Sequence, residues 1–339
     1  MSLEFEYSTT RARGMRSKLL SETRLRQLLE VKSIPEIIEL LEETDYREDF
    51  VVQSAKHSGM ELMMRALHEN FKHSLQKLIR INPEEGKKAL KLLLQEYEIQ
   101  NINTIISAKA GEIPLSEMDL MVIEPQQQKF MEKLQSAKNV AEILKNLRKT
   151  EYGRAVKAAG SEFEKTQDFR FLTRALNTHY YTKLSRLKPN RDDLLWKLIE
   201  LRNGVRHLMV ILRVKRANPG ADSLEYLPSR EDRFFRELNK MNDFQKILQR
   251  VSQKYPHLAV AIEESLKRNS LIPIEIALEK KFIEEVMKLL KFAVLDFAAI
   301  LGYLYLKELE VAAIRKIAYA KQYGFTDELK GMIFSFNAG

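Results

Sequence analysis

An all-helical fold made of three similar helical units is predicted from the composition, an internal repeat of 106 residues and the lack of strand patterning. Glycine (12) and proline (9) are scarce among the 339 residues. Leu, Glu, Lys, Ala and Ile are abundant, and most of them lose little side-chain freedom in a helix. No segment shows the sustained period-two alternation that indicates a half-buried strand. Hydrophobic residues make up 45% of the chain, enough for one large core or several smaller ones.

The repeat is clearest in a short capped helix. Segment 33–46 reads SIPEIIELLEETDY, and 106 residues later segment 139–152 reads NVAEILKNLRKTEY. In each segment an N-cap residue, such as Ser33, is followed three places on by a glutamate, such as Glu36, as in a capping box. Apolar residues follow at helical spacing, so both segments predict an amphipathic helix.

The same offset continues into a long hairpin. Pro83 returns as Pro189, and proline suits the first turn of a helix. The long helix that follows ends in an apolar stripe and a lysine that recurs as Lys109, Lys215 and Lys321. A lysine there also interacts favourably with the negative end of the helix dipole.

Each unit is predicted to contain a long opening helix, two or three short helices and a long hairpin. In the first unit the hairpin is predicted over Gly59–Arg80 and Pro83–Ala110, and linkers are predicted at about Gly111–Pro125 and Asn218–Ser229. The three units, called the first, second and third repeats below, are predicted to span 1–117, 118–224 and 225–339.

The third repeat is the weakest match. Its capped helix begins at Asp243 with an offset of 210, and it has no counterpart of Pro83. Two interpretations stay open: one continuous helix between about Ile274 and Tyr323, or a break near Asp296.

Charge and cysteine content restrict the function. The net charge of +9 divides into −4 over residues 1–124, +10 over 125–228 and +3 over 229–339, which indicates a local acidic partner. The chain has no cysteine, which excludes disulfides and thiolate zinc sites and fits a reducing compartment. The longest apolar stretch, Leu289–Leu306, contains Lys291 and Asp296 and is interpreted as a buried helix that does not span a membrane. We expect no catalytic, cofactor-binding or metal site, because no spacing singles out a reactive pair.

Two arginine clusters are candidate docking surfaces. Arg202, Arg206, Arg213 and Arg216 fall within 80° on a helical projection and form one stripe. The stripe either docks acidic loops or is a solvated face with local partners such as Glu200. The second cluster lies on the opening helix and contains Arg11, Arg13, Arg16 and Lys18, and a solvated face is again the alternative.

Three segments carry a family resemblance: Tyr7–Leu20 (YSTTRARGMRSKLL), Leu40–Tyr46 (LLEETDY) and Glu98–Gly111 (EIQNINTIISAKAG). They resemble the C subunit of archaeal A-type ATP synthases, a family related to the d subunit of vacuolar ATPases. The later repeats depart from the last segment, since Gly204 stands where the first repeat has Glu98.

The resemblance implies a funnel of three bundles around a pseudo-threefold axis. It implies a non-catalytic rotor part on the cytoplasmic face of the membrane, which couples the proteolipid ring to the D and F subunits of the central stalk. In that family ATP chemistry occurs in other subunits, so the resemblance implies no cofactor.

Three alternatives stay open: a free-standing helical scaffold that binds acidic proteins, a nucleic-acid-binding protein, and an enzyme with an unrecognised site. A scaffold of stacked repeats usually has units of about 20–50 residues, and no nucleic-acid-binding module is recognised, so we expect no nucleic-acid partner. The choice between H⁺ and Na⁺ coupling, the direction of ATP turnover, and the faces that meet ring and stalk are left open.

Overall fold

A computed structural model describes residues 5–115, 120–187, 193–223, 233–293, 296–325 and 329. These residues form sixteen α-helices and no strand, which confirms the all-α class. In the first repeat the helices are α1 (Glu6–Arg16), α2 (Glu22–Glu30), α3 (Ile34–Glu42), α4 (Arg47–Ser54), α5 (Gly59–Ile81) and α6 (Glu84–Ala110). In the second they are α7 (Pro125–Gln135), α8 (Val140–Leu147), α9 (Gly153–Thr166), α10 (Arg170–Leu184) and α11 (Leu194–Ala217). In the third they are α12 (Arg233–Lys240), α13 (Phe244–Lys254), α14 (Ala259–Arg268), α15 (Ile272–Phe292) and α16 (Ala298–Tyr323).

The N-cap bond of the predicted capping box is present in α3 and in α8, but the glutamate side chain accepts from the residue before the N-cap and not from the N-cap itself. At α8, Asn139 Oδ1 accepts from the backbone N–H of Glu142 at 3.0 Å, and the Glu142 carboxylate accepts from the backbone N–H of Lys138 at 2.8 Å. At α3, Ser33 Oγ accepts from the backbone N–H of Glu36 at 3.5 Å. The shared sequence pattern therefore produces the same helix start twice, as expected from the orphan N–H groups of a first turn.

The two repeats also share the turn that follows this helix. Thr44 Oγ1 donates to the carbonyl of Leu41 and accepts from the backbone N–H of Tyr46. Thr150 makes the same two bonds, to Leu147 and from Tyr152. A threonine that bonds its own turn in this way replaces lost helical hydrogen bonds, so the turn after the helix has the same hydrogen bonds in both repeats.

The prediction of a long opening helix is wrong. In the first repeat α1 has 11 residues, and a separate helix, α2, begins after residues 17–21. Ser21 starts the new helix, because its side chain accepts from the backbone N–H of Arg24.

The hairpin helices agree closely with the prediction for the first repeat, where α5 and α6 lie on either side of Pro83. In the third repeat the helix breaks. Asp296 Oδ1 accepts from the backbone N–H of Ala298 at 2.8 Å and thereby starts α16. The bend lets the two helices pack closely at Gly302, where a Cβ would lie 2.5 Å from Leu290 Cδ2.

The first predicted linker is confirmed where the structure describes it, since α6 ends at Ala110 and α7 begins at Pro125. The Asn101 side chain binds the part of this linker that precedes α7. Its amide group donates to the carbonyl of Met121 and accepts from the Met121 N–H, both at 2.8 Å. The second linker follows Ala217 as predicted, but residues 224–232 lie outside the described part.

The chain divides into two compact units, and this division cuts across the sequence repeats. The first consists of Met1–Lys87, Arg191–Arg206 and Leu248–Gly339, and the second of Lys88–Asn190 and His207–Ile247. The predicted repeat boundaries and the pseudo-threefold arrangement stay predictions.

In the first compact unit α16 is the central helix. This helix belongs to the third repeat, yet it packs against α1, α2, α3 and α5 of the first repeat as well as against α15. Leu301, Leu306 and Ile314 on α16 are fully buried. Since burying one such side chain contributes about 1.5–3 kcal/mol, the core of this unit depends on a helix contributed by another repeat.

The second compact unit is arranged in the same manner. Its short helices α8, α9 and α10 belong to the second repeat and pack in succession. The long helix beside them is α6 of the first repeat: Tyr180 Oη on α10 donates to the carbonyl of Leu93 on α6 at 3.3 Å. A long helix is thus again supplied by a different repeat.

Candidate docking surfaces

The first compact unit contains a buried carboxylate cluster around Glu310. Tyr46 Oη donates to Glu310 Oε1 at 2.6 Å, and Lys307 Nζ donates to the same oxygen at 2.9 Å. The other carboxylate oxygen accepts from the backbone N–H of Leu20. Glu310 and Lys307 are 0% and 3% exposed in their side chains, and the lysine Nζ lies 3.9 Å from the centre of the Tyr46 ring. A buried negative charge is therefore satisfied by a buried positive charge and two further donors.

The second compact unit contains the matching cluster around Glu98. Tyr152 Oη donates to Glu98 Oε1 at 2.6 Å, and Gln127 Nε2 donates to Glu98 Oε2 at 3.2 Å. Gln95 Nε2 donates to Tyr152 Oη at 3.0 Å. Burial raises the pKa of Glu98 despite these hydrogen bonds, and burial together with Glu98 raises the pKa of Tyr152. The phenol therefore keeps its proton at neutral pH and acts as a hydrogen-bond donor.

The two clusters are related by the sequence repeat. Tyr152 lies one repeat length of 106 after Tyr46, and Glu310 lies two repeat lengths after Glu98. In each cluster the tyrosine of one repeat meets a glutamate on the last helix of another. The third equivalent position is Gly204, which has no carboxylate.

The terminal lysines connect repeats in a similar way. Lys321 donates to the carbonyl of Leu29. Lys215 donates to the carbonyl of Asn239 at 2.6 Å and to that of Pro219 at 2.8 Å. The sequence predicted these lysines as partners of their own helix ends, whereas the structure also pairs two of them with a carbonyl in another repeat. Lys109 makes no such bond among the described residues.

The predicted arginine stripe on α11 is divided between the compact units, and its two halves differ. In the first compact unit Arg202 bonds Glu308 at 2.5 Å and lies 4.6 Å from the centre of the Tyr305 ring. Arg206 is half-buried. In the second compact unit Arg213 and Arg216 are exposed. The named local partner, Glu200, instead accepts from Trp196 Nε1 at 2.6 Å.

The arginines of the predicted cluster on the opening helix also differ from one another in exposure and in contacts. Arg11 is exposed. Arg13 donates to the carbonyl of Ala293, just after the end of α15, at 3.4 Å. Arg16 is half-buried, and burial together with the nearby charge of Arg13 lowers its pKa.

A groove between α9 and α10 in the second compact unit is a further candidate that the sequence did not single out. Its volume is about 1330 Å³, and six lysine or arginine side chains line it beside a single glutamate, Glu151. The cations are Arg148, Arg154, Lys157, Arg174, Lys183 and Arg186. The charge surplus of the middle third was the available signal, but only the helix packing shows that these residues face one groove.

Within the described residues, no helix combines the length and apolar character required to cross a bilayer. The apolar stretch Leu289–Leu306, which was interpreted as one buried helix, is divided between the end of α15 and the start of α16. The α16 residues from Ala298 to Leu306 are buried.

The described residues define an all-helical protein in which helices that are distant in the sequence share one core. The chain matches the family described as ATP synthase (C/AC39) subunit over residues 8–331. It therefore belongs to that family, a structural subunit of ATP synthase that is not a catalytic enzyme by itself.

Proteins named as C subunits of A-type ATP synthases align with nearly the whole length of this chain. The chain is 27% identical to the C subunit of the A-type ATP synthase of Methanocaldococcus jannaschii over 331 residues, covering 94% of this chain and 82% of the relative. It is 26% identical to the protein of the same name from Desulfurococcus sp. (strain SY), covering 96% and 88%. For that from Archaeoglobus fulgidus the identity is 25%, covering 95% and 93%. The resemblance noted in the sequence is confirmed.

Proposed function

We propose that the chain is the rotor adaptor of an A-type ATP synthase, which couples the membrane proteolipid ring to the D and F subunits of the central stalk. The observation that carries this proposal is the family match over residues 8–331. In this role the chain is peripheral to the membrane on its cytoplasmic face and transmits torque between ring and stalk.

The internal packing supports a torque-transmitting role. Helices from different repeats are held together by buried contacts such as Tyr46 with Glu310 and Tyr152 with Glu98. Close-packed interiors have low compressibility and transmit strain. A body whose cores each need helices from two repeats resists separation of those repeats under load.

The test is a pull-down with the full-length chain as bait. The D–F pair and the detergent-solubilised proteolipid ring from the same organism are offered separately and together. We expect the chain to retain both, and to join them in one assembly. Retention of neither partner would overturn the proposal and favour a free-standing scaffold for acidic proteins.

We further propose that the exposed arginines of the candidate clusters contribute to this docking. Arg213 and Arg216 are chosen for the test because they are the exposed members of the stripe on α11. Charge reversal of the exposed pair to glutamate should weaken co-purification with ring or stalk. An unchanged yield of the assembled complex and unchanged coupled ATP hydrolysis would contradict this assignment. Arg11 is the corresponding exposed test position on the opening helix.

A further inference from the structure

The groove between α9 and α10 carries a surplus of positively charged side chains. Arg154, Lys157, Arg174 and Arg186 have no carboxylate within ion-pair distance among the residues that the structure describes. Three of them are exposed, and Arg174 is half-buried. Placing like charges along one groove without counterions is unfavourable, so the arrangement suits an acidic occupant.

The remaining charges of the groove are already engaged. Lys183 donates to Glu151, and His179 Nε2 lies 3.6 Å from the same carboxylate. Burial acts against ionisation there, but hydrogen bonds from Lys183 and Gln95 hold the pKa of Glu151 below its usual range. The carboxylate therefore stays charged and is held by its own neighbours, which leaves the four cations that have no ion pair in the described residues for an external partner.

Part of the groove lining consists of small apolar side chains. Ala155, Ala158 and Ala159 on α9 line the groove together with Ala175 on α10, and Phe171 lines it near the start of α10. Methyl groups beside cations from both helices match a helix that has apolar residues on one face and acidic residues at its edges.

The length of the groove also fits a helical segment. Arg174 and Arg186 are twelve residues apart, which corresponds to about 18 Å along a helix. An occupant of similar length has about three turns. The volume of about 1330 Å³ exceeds the range of about 300–1,000 Å³ typical of small-molecule pockets, so a macromolecular segment is the better fit.

We propose that the α9–α10 groove binds an acidic, amphipathic helical segment of another protein of the rotary complex. This proposal rests on the proposed function. The apolar face of the segment packs on the alanines that line the groove, and its carboxylates pair with Arg154, Lys157, Arg174 and Arg186. Phosphate-rich ligands would use the cations but not these methyl groups.

The experiment compares three versions of the full-length chain. The groove variant carries Arg154→Glu, Lys157→Glu and Arg186→Glu, which are exposed positions without internal ion pairs in the described structure. The control variant carries Lys129→Glu, Lys133→Glu and Lys145→Glu, which make the same charge change at exposed positions of the same compact unit that do not line the groove. Circular dichroism and thermal melting check that all three fold alike.

Binding is measured with the D–F pair, with the solubilised ring, with anionic lipid vesicles and with a nonspecific DNA duplex. We expect the groove variant to bind D–F or the ring about tenfold or more weakly, and the control within about twofold of the wild type. The wild-type affinity should fall with added salt, because exposed charges are screened beyond about 8–10 Å near physiological ionic strength.

Three other results would overturn the groove proposal. Equal binding of D–F and ring by the groove variant and the wild type overturns the groove proposal but leaves the proposed function intact. Loss confined to vesicles or DNA overturns it in favour of a phosphate-rich ligand. If the wild type binds neither the D–F pair nor the ring, both the proposed function and this occupant are overturned.

Discussion

The buried Glu310 and the half-buried Glu98 occupy equivalent repeat positions but are stabilised differently. Glu310 in the first compact unit accepts from the buried ammonium of Lys307. The residue two repeat lengths before Lys307 is Gln95, and Glu98 in the second compact unit accepts hydrogen bonds from the neutral side chains of Tyr152 and Gln127. One repeated tyrosine–glutamate contact can therefore be built with a compensating charge or without one. Removing one hydrogen-bonding partner from each cluster should therefore change the unfolding free energy by different amounts.

The largest expected effect is that of Glu310→Gln. The substitution leaves Lys307 buried without its counterion, and breaking a buried ion pair in this way typically costs about 3–5 kcal/mol. Chemical denaturation should show a loss of unfolding free energy of that size. Glu98→Gln is the matched control and should cost less than about 1.5 kcal/mol, because it strands no charge. Equal losses in both variants would show that the lysine makes no difference.

Tyr152→Phe should have the next largest effect. It removes the phenol that donates to Glu98, and a hydrogen bond to a charged group contributes about 1.5–3 kcal/mol. It should also raise the pKa of Glu98 further, because the Tyr152 hydrogen bond lowers that pKa. Tyr46→Phe is the comparison, since Glu310 keeps Lys307 and the N–H of Leu20. If Tyr46→Phe alters the pH dependence of stability as much as Tyr152→Phe, the contrast between the clusters is wrong.

A smaller and opposite effect is expected at the third equivalent position. Gly204 lies within α11, and a Cβ there would meet no atom within 4 Å. Gly204→Ala should therefore raise the unfolding free energy by roughly 0.5–1 kcal/mol. Gly302→Ala is the control with the opposite sign, because its Cβ would lie 2.5 Å from Leu290 Cδ2. A destabilising Gly204→Ala would reveal a packing requirement for glycine at this position.

The smallest effect is the pH dependence from Glu98. Burial raises its folded-state pKa above the ordinary value of about 4.3. The folded protein therefore holds this proton more tightly than the unfolded chain does. The contribution to stability is complete below the ordinary value and is lost as the pH rises through the folded-state pKa. The difference in unfolding free energy between wild type and Glu98→Gln, measured from about pH 4 to 7, should follow this fall. A difference that does not vary with pH would contradict the raised pKa.

Most of the helix starts could be predicted from sequence features that act within a few residues. Ser33 and Asn139 marked helix starts, and Pro83 marked the start of α6, because capping and proline chemistry act within a few residues. Asp296 was ambiguous. A charge within an apolar run is compatible with a continuous buried helix, and only the hydrogen bond to Ala298 shows that it starts a new one.

The contacts between repeats could not be predicted in the same way. Tyr46 and Glu310 are 264 residues apart, and Tyr152 and Glu98 are 54 apart. Both pairs lie in or beside segments with repeat patterning, but a pattern gives the face of a helix and not the helix it meets. The α9–α10 groove was missed for the same reason. A spacing of 12 residues puts Arg174 and Arg186 about 120° apart around a helix, so the sequence does not place them on one face, and the opposite side of the groove comes from α9.

The central claim, that this chain turns with the rotor, can be tested by watching it rotate. The chain has no cysteine, so Lys267→Cys, at an exposed position on α14, provides a single attachment point for a bead. The assembled complex is fixed to a surface through its catalytic subunits and supplied with ATP. A bead on this chain should rotate in one direction, and rotation should stop when ATP is removed. A bead that stays still while one attached to the D–F stalk rotates would contradict the rotor assignment.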